Sequence, residues 1–412
     1  MRHLEVLRHF LTLRKEQWYD PERLEQLQNQ KLQKILGCAS KTSYYGSISA
    51  NPEDLEEIPI TTKTDIRKNT EKFLTGPKNS FEKKSTSGST GMPLDIFFDK
   101  ETSYYISAIA AFIQIEFGRS PFDLYAEVSP RTPPGFPLAS LGLFRKIHFS
   151  IFEDEVKIYE KLKQAKPDLL GWYPVTIGMI AKLNDRDGNP IRLKSVYSGT
   201  ETLTKSNRKL IADSFSCSVF EQYGTIEFGS IAWECPEEHN LHVNTNSCLV
   251  EIVDEKGKPK KSGTGRIIIT GLINKAMPLI RYSVEDLASW GKECPCGRGL
   301  PTFRSFEGRE DDLIVLPGGK IRSARPINQL DDLTEILKYQ IIQEKEDLFV
   351  VRYVPFNKEI SESTKNEAIS IIKRGCCGEE VKVELEKVEE IKKGRTGKIR
   401  TVISKVAGGK VG

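Results

Sequence analysis

The feature that most constrains the fold is a β-α-β pattern near the middle of the chain. Residues 193–197 and 217–222 have the length and residue types of short strands, and residues 205–215 between them are predicted to form a helix. Strands joined by such a crossover run parallel, because a parallel pair needs about a dozen or more connecting residues. The sequence therefore predicts a parallel sheet here.

The rest of the chain predicts helices before this unit and antiparallel strands after it. Apolar residues at helical spacing indicate two helices within residues 1–40, and Asp20-Pro21 is typical of a helix start. From residue 249, alternating apolar residues and turn sequences predict antiparallel strands. The last hundred residues predict a small α+β domain, with helices at 326–337 and 361–374.

These elements predict an α/β protein of two domains. Residues 1–308 would form a large N-terminal domain, with mixed and parallel sheets flanked by helices plus a small β subdomain. Residues 309–412 would form a small α+β C-terminal domain. A chain of 412 residues has room for two or three domains.

Charge and hydropathy argue against several classes of partner. The chain carries 61 basic and 57 acidic residues, a net charge of +4, which is too balanced to favour nucleic acid or an anionic membrane. No apolar run approaches a membrane span, and charges interrupt the N-terminus too often for a signal peptide. The protein is expected in the cytoplasm, where its eight cysteines are free thiols or metal ligands.

A hydroxyl- and glycine-rich run, Lys84-Ser-Thr-Ser-Gly-Ser-Thr-Gly-Met-Pro93, precedes an apolar segment that is predicted to be a strand. Glycines let backbone N–H groups approach an anion, and hydroxyls add donors for phosphate oxygens. No Lys follows Gly91, so the run is not the Gly-x-x-x-x-Gly-Lys-Ser/Thr phosphate-binding loop. A flexible Ser/Gly linker is the alternative interpretation.

Four later motifs follow this run in order: Ser198-Gly-Thr-Glu-Thr202, Tyr223-Gly-Thr-Ile-Glu227, Met277-Pro-Leu-Ile-Arg-Tyr-Ser-Val-Glu-Asp286 with Gly308-Arg-Glu-Asp-Asp312, and Gly394-Arg-Thr-Gly-Lys398. With the hydroxyl-rich run, they resemble the adenylate-forming superfamily. The resemblance is greatest to the branch that contains phenylacetate–CoA ligases and CapK-type proteins. It covers about residues 20–403 and implies an enzyme that uses ATP to convert a carboxylic acid into an acyl-adenylate.

The resemblance also implies residue roles and a second half-reaction. The acyl group would pass to coenzyme A or another thiol. The residues that it assigns to the nucleotide are Thr86, Ser87, Gly88, Ser89, Thr90, Gly91, Gly199, Thr200, Glu201, Tyr223, Gly224, Thr225, Ile226, Asp286 and Arg309. Glu227 and Thr90 are the implied magnesium ligands, since a hard cation prefers oxygen. Lys398 would act in catalysis by bridging the substrate carboxylate and the α-phosphate. The resemblance also implies that the small C-terminal domain turns on a hinge, and Asp311 matches the hinge residue.

Two departures from the family pattern keep other functions open. Ile226 stands where a hydroxyl residue is usual, and Glu285 replaces the Gly that usually precedes the ribose-binding Asp286. A degenerate nucleotide-binding partner protein is therefore an alternative. Within the enzyme class, transfer to an amine or transfer of AMP alone also stays open. Lys398 also lies in the basic segment 392–405, where a solvated charge run is the plain interpretation.

A second cluster predicts zinc. Cys235, His239, Cys294 and Cys296 supply the three thiols and one imidazole of a tetrahedral structural site. His242 is the alternative fourth ligand, although the family resemblance assigns it to the substrate pocket, and reduced surface cysteines without metal are the alternative to a site. The carboxylic acid is not specified beyond a weak preference for an aryl or apolar one, and a homodimer stays open.

Overall fold

The computed structural model describes residues 2–85, 94–130, 132, 139, 141–201, 203–309, 313–394 and 397–406. The chain divides into two compact units. The first comprises Met1–Phe117 and Gln222–Glu307, and the second comprises Gly118–Glu221 and Gly308–Gly412. The domain boundary predicted at residue 308 stays a prediction. The hinge residue Asp311 lies outside the described residues.

The described residues form eight α-helices. They are α1 (Arg2–Glu16), α2 (Pro21–Ala39), α3 (Lys63–Lys68), α4 (Lys100–Glu116), α5 (Glu155–Ala165), α6 (Pro174–Asn184), α7 (Lys205–Phe215) and α8 (Glu362–Gly375). Three short 3-10 helices lie between α2 and the first strand, at Pro52–Glu57, Thr70–Phe73 and Lys78–Ser80.

The same residues form nineteen strands. They are β1 (Glu82–Ser85), β2 (Asp95–Phe98), β3 (Tyr125–Ser129), β4 (Lys146–Ser150), β5 (Leu169–Trp172), β6 (Ser195–Ser198), β7 (Ser218–Thr225), β8 (Gly229–Glu234), β9 (Leu241–Val243), β10 (Cys248–Val253), β11 (Thr264–Gly271), β12 (Tyr282–Trp290), β13 (Thr302–Arg309), β14 (Leu313–Leu316), β15 (Lys320–Ser323), β16 (Ile336–Lys345), β17 (Leu348–Pro355), β18 (Lys382–Lys387) and β19 (Val402–Ser404).

The first unit packs helices against strands in the order β10-β11-β12-β13-β9-β8, next to the last four residues of β7. Strand β10 pairs antiparallel with β11, and β11 pairs antiparallel with β12, as the sequence predicts. Helix α2 starts where its sequence indicates, because the Asp20 carboxylate accepts a hydrogen bond from the backbone N–H of Arg23. Leu32, Ile35 and Leu36 of α2 are buried in the core of this unit.

The first half of the second unit is the predicted parallel sheet. Its strands have the order β4-β3-β5-β6, followed by the first four residues of β7, and each neighbouring pair is parallel. Helix α7 spans the predicted residues and connects β6 to β7. Its residues Ile211 and Phe215 are fully buried, in a core that they share with Ile177 and Ile180 of α6. The mixed α/β class is thereby confirmed.

The second half of this unit is a four-stranded sheet in the order β18-β17-β16-β19, with the helix α8 and the hairpin β14-β15. Phe349 and Val351 of β17 are fully buried together with Ala368 and Ile372 of α8. Helix α8 begins after Ser361, whose hydroxyl accepts a hydrogen bond from the backbone N–H of Thr364. The predicted helix at 361–374 is correct to within one residue.

The predicted helix at 326–337 is wrong. This segment consists of turns and irregular backbone up to Glu335, and the strand β16 begins at Ile336. Asp331 accepts hydrogen bonds from Thr204 Oγ1 at 2.7 Å and Ser206 Oγ at 3.2 Å, and the carbonyls of Leu333 and Ile336 accept hydrogen bonds from Lys182 Nζ at 3.3 and 2.6 Å. Side chains distant in sequence thus satisfy polar groups that a helix would pair internally.

None of the helices within the described residues has both the length and the apolar character needed to cross a membrane.

Candidate active site and metal centre

The hydroxyl-rich run connects two paired strands. Strand β1 ends at Ser85 and pairs antiparallel with β2, and Ser85 Oγ donates a hydrogen bond to Asp95 Oδ1 at 2.6 Å. The predicted phosphate-binding residues Thr86, Ser87, Gly88, Ser89, Thr90 and Gly91 lie outside the described residues. Their roles stay predictions.

Two predicted nucleotide residues of the first unit meet directly. Tyr223 Oη donates a hydrogen bond to Asp286 Oδ2 at 2.7 Å, and the Tyr223 ring lies 4.1 Å, centroid to centroid, from that of Phe306. The sharp bend after Tyr223 requires glycine, since a Cβ on Gly224 would lie 2.3 Å from the carbonyl oxygen of Gly229. An aromatic ring beside a carboxylate is suited to a nucleoside, which offers a base to stack on and hydroxyls to donate. Arg309 ends strand β13.

Glu285 takes the backbone conformation that glycine would supply. Its φ is +64°, within an irregularity of the β11–β12 ladder where the register shifts between Arg266 and Ile268. Lys63 Nζ lies 2.5 Å from Glu285 Oε2, and this ion pair holds the side chain. The departure from the family pattern therefore keeps the left-handed turn before Asp286, at a strain cost of about 1–2 kcal/mol.

Glu227, the implied magnesium ligand, is 7% exposed and accepts a hydrogen bond from Tyr282 Oη at 3.0 Å. Thr225 Oγ1 is buried with no hydrogen-bond partner within the described ranges, whereas Ile226 is 39% exposed. A hydroxyl without a partner and an oriented carboxylate offer oxygen atoms to a hard cation or a phosphate. Sequence reasoning missed Tyr282, although it lies inside the quoted motif that ends at Asp286.

In the second unit, Lys398 lies against the predicted adenine-binding loop. Lys398 Nζ donates a hydrogen bond to the carbonyl oxygen of Thr200. Thr200 has a φ of +69°, and the backbone N–H of Glu201 donates to the Gly199 carbonyl at 2.8 Å. This is the pattern of a strained γ-turn, and such strain in a β-branched residue is concentrated at functional sites. The structure thus brings the predicted lysine and loop together.

Glu201 has an unusual carboxyl group. Burial raises its pKa to about 7, and the nearby charge of Lys398 opposes this rise. Glu201 Oε2 and Ser198 Oγ are both buried with no hydrogen-bond partner that the described residues provide. Buried polar atoms without partners are rare in folded proteins, and a polar ligand would satisfy them. This part of the loop therefore fits a nucleotide.

Four possible metal ligands converge in the first unit. The side-chain ligand atoms of Cys235, His242, Cys294 and Cys296 all lie within 4.8 Å of one another. Cys294 Sγ is 3.9 Å from Cys235 Sγ, and Cys296 Sγ is 3.4 Å from His242 Nε2. Tetrahedral zinc with metal–ligand bonds of about 2.0–2.3 Å implies ligand spacings of about 3.3–3.8 Å. The residues fit zinc.

His242, rather than His239, completes this cluster. His239 precedes strand β9, and its Nδ1 lies 2.7 Å from Glu234 Oε1. His242 is fully buried in β9, where burial, together with the charge of Arg298, lowers its pKa to about 4. The imidazole is therefore neutral at pH 7, as a metal ligand must be. The geometry therefore favours His242 over the predicted His239 as the fourth ligand.

Arg298 connects the cluster to two helices. Its Nη1 lies 3.9 Å from Cys235 Sγ, its Nε donates a hydrogen bond to Gln17 Oε1 at 2.8 Å, and its Nη2 is 2.7 Å from Glu116 Oε2. The side chain is 4% exposed. Burial tends to raise the pKa of the Cys296 thiol, but hydrogen bonds, chiefly from Arg298, outweigh it and lower this pKa, whereas burial raises the pKa of Cys235 to about 11. Sequence reasoning missed Arg298, which lies two residues after Cys296.

The fold is similar to that of solved CoA ligases. The 2-hydroxyisobutyryl-CoA ligase in complex with 2-HIB-AMP, in its postadenylation state, has a TM-score of 0.77 at 18% identity, over 93% of this chain and 90% of that one. A benzoate CoA ligase from Burkholderia xenovorans has a TM-score of 0.54 at 16% identity, over 75% and 66% of the two chains. The fold is that of the adenylate-forming CoA ligases.

Sequence comparisons point to a particular branch. A family model described as the CapK C-terminal domain matches residues 313–405. The phenylacetate-coenzyme A ligase of Thermus thermophilus is 24% identical over 387 residues, covering 84% of this chain and 86% of the relative. Protein CapK of Staphylococcus aureus is 24% identical over 320 residues, covering 71% and 69%. The predicted resemblance to the phenylacetate–CoA ligase and CapK-type branch is confirmed.

Proposed function

We propose that this protein is an ATP-dependent ligase that converts a carboxylic acid into an acyl-adenylate and transfers the acyl group to coenzyme A. The observation that carries the proposal is the contact of Lys398 with the Thr200 carbonyl, beside the buried carboxyl of Glu201. The phenylacetate–CoA ligases among the relatives support the same activity. An aryl or apolar acid is the proposed substrate class.

The mechanism follows from the chemistry of the described side chains. The carboxylate and the α-phosphate are both anionic, so a positioned ammonium lowers their repulsion in the transition state. Lys398 would supply this charge, while Tyr223 would stack on the base and Asp286 would accept hydrogen bonds from the ribose. Glu227, oriented by Tyr282, would hold magnesium together with Thr90. Magnesium would neutralise charge on the phosphates.

We also propose that Cys235, His242, Cys294 and Cys296 hold a structural zinc ion. Three thiolates and one imidazole fill a tetrahedral shell, which leaves no position open for a substrate. Cys235 and His242 lie on either side of the turn between β8 and β9, and the other two cysteines lie between β12 and β13. The ion would therefore cross-link two connections of one sheet and stabilise the fold of the first unit.

The test of the ligase function is exchange of labelled pyrophosphate into ATP, with a panel of aryl and short-chain acids. Adenylate formation should make exchange depend on both the acid and magnesium. Addition of coenzyme A should then consume one thiol per AMP released. Hydroxylamine in place of coenzyme A distinguishes adenylate formation without a thiol acceptor, because it traps acyl-adenylate as hydroxamate.

A degenerate nucleotide-binding protein is the competing function. It would bind ATP, detected by calorimetry, without exchange for any acid of the panel. The conformation of Glu285 speaks against it, since this residue keeps the glycine-like turn before Asp286. Ile226, which is exposed and offers no hydroxyl, is the departure that still favours it.

A further inference from the structure

One buried carboxylate in the second unit pairs with two lysines that are distant in sequence. Glu155, the first residue of α5, is 4% exposed. Lys393 Nζ lies 2.7 Å from Glu155 Oε1, and Lys338 Nζ lies 2.9 Å from Glu155 Oε2. The two lysine side chains are only 13% and 16% exposed. This triplet has no role in the proposed chemistry, but one of its members, Lys393, lies five residues before Lys398 in the chain.

Residues 391–394 and 397–399, together called the segment 391–399, are fitted closely to their surroundings within this unit. Lys393 Nζ also donates a hydrogen bond to the Ile151 carbonyl at 2.5 Å. Gly397 has a φ of +79°, and a Cβ there would lie 2.2 Å from Ile151 Cγ2, so the backbone lies directly on this side chain. Ile391 and Ile399 are buried in a small cluster with Met179. Apolar contacts thus hold both ends of the segment, and Lys393 anchors it between them.

We propose that Glu155 is a positioning residue for Lys398: by pairing with Lys338 and Lys393, it fixes the segment 391–399 so that Lys398 reaches the Thr200 carbonyl. This inference rests on the proposed function, in which Lys398 acts in adenylate formation. Lys398 needs such support, because the side chain is long and flexible and its ammonium must be placed accurately. A carboxylate on the first turn of a helix is a fixed point of this kind.

The charges explain why Glu155 is required. Burial on its own would raise the pKa of the Glu155 carboxyl, but the lysines outweigh this effect and hold the pKa below its usual value. The carboxylate is therefore ionised and compensates two mostly buried ammonium groups. Without it, Lys338 and Lys393 would repel each other at a site with little water, and a buried unpaired charge is strongly unfavourable. We therefore expect that Lys393 and its segment move away from Lys338 when the Glu155 carboxylate is removed.

The test compares Glu155→Gln with Asp213→Asn. The control makes the same change of charge in the same unit, at the exposed ion pair of Lys209 and Asp213 on α7. In hydrogen exchange of the nucleotide-free protein, amides of residues 388–400 should exchange several-fold faster in Glu155→Gln and at the wild-type rate in Asp213→Asn. Unchanged exchange in Glu155→Gln would overturn the proposal.

Kinetics then separate positioning from general stability. With an acid that supports pyrophosphate exchange, Glu155→Gln should lower the maximal exchange rate about 10–100-fold, the loss expected for a misplaced catalytic group. The KM for ATP should stay within about threefold, because the nucleotide contacts remain. Thioester formation from chemically prepared acyl-adenylate and coenzyme A should keep the wild-type rate. An equal fall in both half-reactions would mean a merely structural role and would refute the proposal.

Variants of Lys393 test the same pairing from the other side. Lys393→Arg should retain most of the exchange rate, since a guanidinium still pairs with Glu155. Lys393→Gln should lose about as much rate as Glu155→Gln, and equal activity of the two Lys393 variants would contradict the ion pair. If the wild-type protein supports exchange with no acid, the proposed function fails. Hydrogen exchange alone then decides whether Glu155 fixes the segment.

Discussion

At the scale of single residues, the predicted site contains two strained backbones. Thr200 and Glu285 have φ angles of +69° and +64°, which side chains with a Cβ rarely adopt. Thr200 presents its carbonyl to Lys398, and Glu285 precedes the ribose-binding candidate Asp286. Strain of this kind persists only where the surrounding contacts impose it. At both positions the backbone conformation therefore indicates a role in the predicted site that the residue type alone does not.

Glu285→Gly and Glu285→Ala separate strain from charge at one position. Both variants lose the ion pair with Lys63; the Glu285 side chain is 39% exposed and that of Lys63 is 18% exposed, so the pair contributes at most about 1 kcal/mol. Only glycine relieves the positive φ, so Glu285→Gly should be more stable than Glu285→Ala by about 1 kcal/mol. Urea unfolding of both proteins measures this difference. Equal stabilities would mean that Glu285 is not strained.

Lys398→Ala should abolish pyrophosphate exchange and spare ATP binding. The ammonium acts mainly in the transition state, whereas other residues hold the nucleotide. We expect a loss of at least about 100-fold in exchange, in line with removal of one electrostatic catalytic group, and an ATP dissociation constant that changes little by calorimetry. Lys392→Ala, an exposed lysine of the same basic segment, is the control. Wild-type exchange in Lys398→Ala would remove the catalytic assignment.

Glu201 should make stability depend on pH. Its pKa in the folded protein, about 7, is raised above the usual value of 4.5 by burial. The folded state therefore binds the Glu201 proton more tightly than the unfolded state does. The protonated carboxyl stabilises the folded protein at low pH, and this contribution to the free energy of unfolding falls as the pH rises from about 4.5 to about 7. At pH 8, the free energy of unfolding, measured with urea, should be higher for Glu201→Gln than for the wild type by at most about 3 kcal/mol. This difference should shrink towards pH 5. A constant difference between pH 5 and pH 8 would contradict the raised pKa.

At the scale of elements, short strands and their connections build the proposed zinc site. His242 lies in β9, where Leu241 and Val243 on either side point into the apolar core. Because successive side chains of a strand alternate between faces, His242 points to the opposite side. Its register partner on β13, Thr302, follows soon after Cys294 and Cys296. Strand pairing therefore decides which histidine joins the cysteines.

Metal analysis and two histidine variants test this site. The purified protein should contain about one zinc ion per chain. His242→Ala should lose zinc and unfold several degrees lower, whereas His239→Ala should retain zinc, because only His242 lies with the three cysteines. Catalytic constants of the remaining folded His242→Ala protein should stay near the wild-type values. Zinc retained in His242→Ala and lost in His239→Ala would restore the ligand set that was first predicted.

At the scale of the whole molecule, this protein is more similar to the solved CoA ligases in fold than in sequence. Identity to the solved CoA ligases is below 25%, yet the TM-score reaches 0.77. Local patterns that the class shares, such as the parallel β-α-β unit and the five motifs in order, are present in this chain. The departures at Ile226 and Glu285 are single substitutions, and Glu285 preserves the backbone that it would be expected to disturb.

The sequence by itself determined the features that depend on neighbouring residues. Helix α7, the start of α2 at Asp20 and the parallel pairing of β6 with β7 all follow from caps, periodicity and connection length. Only the tertiary structure decided the turns before Ile336, the choice of His242 over His239 and the pairing of Glu155 with Lys338 and Lys393. In each of these cases the deciding partner is distant in the chain, and no local pattern records which buried polar groups will meet.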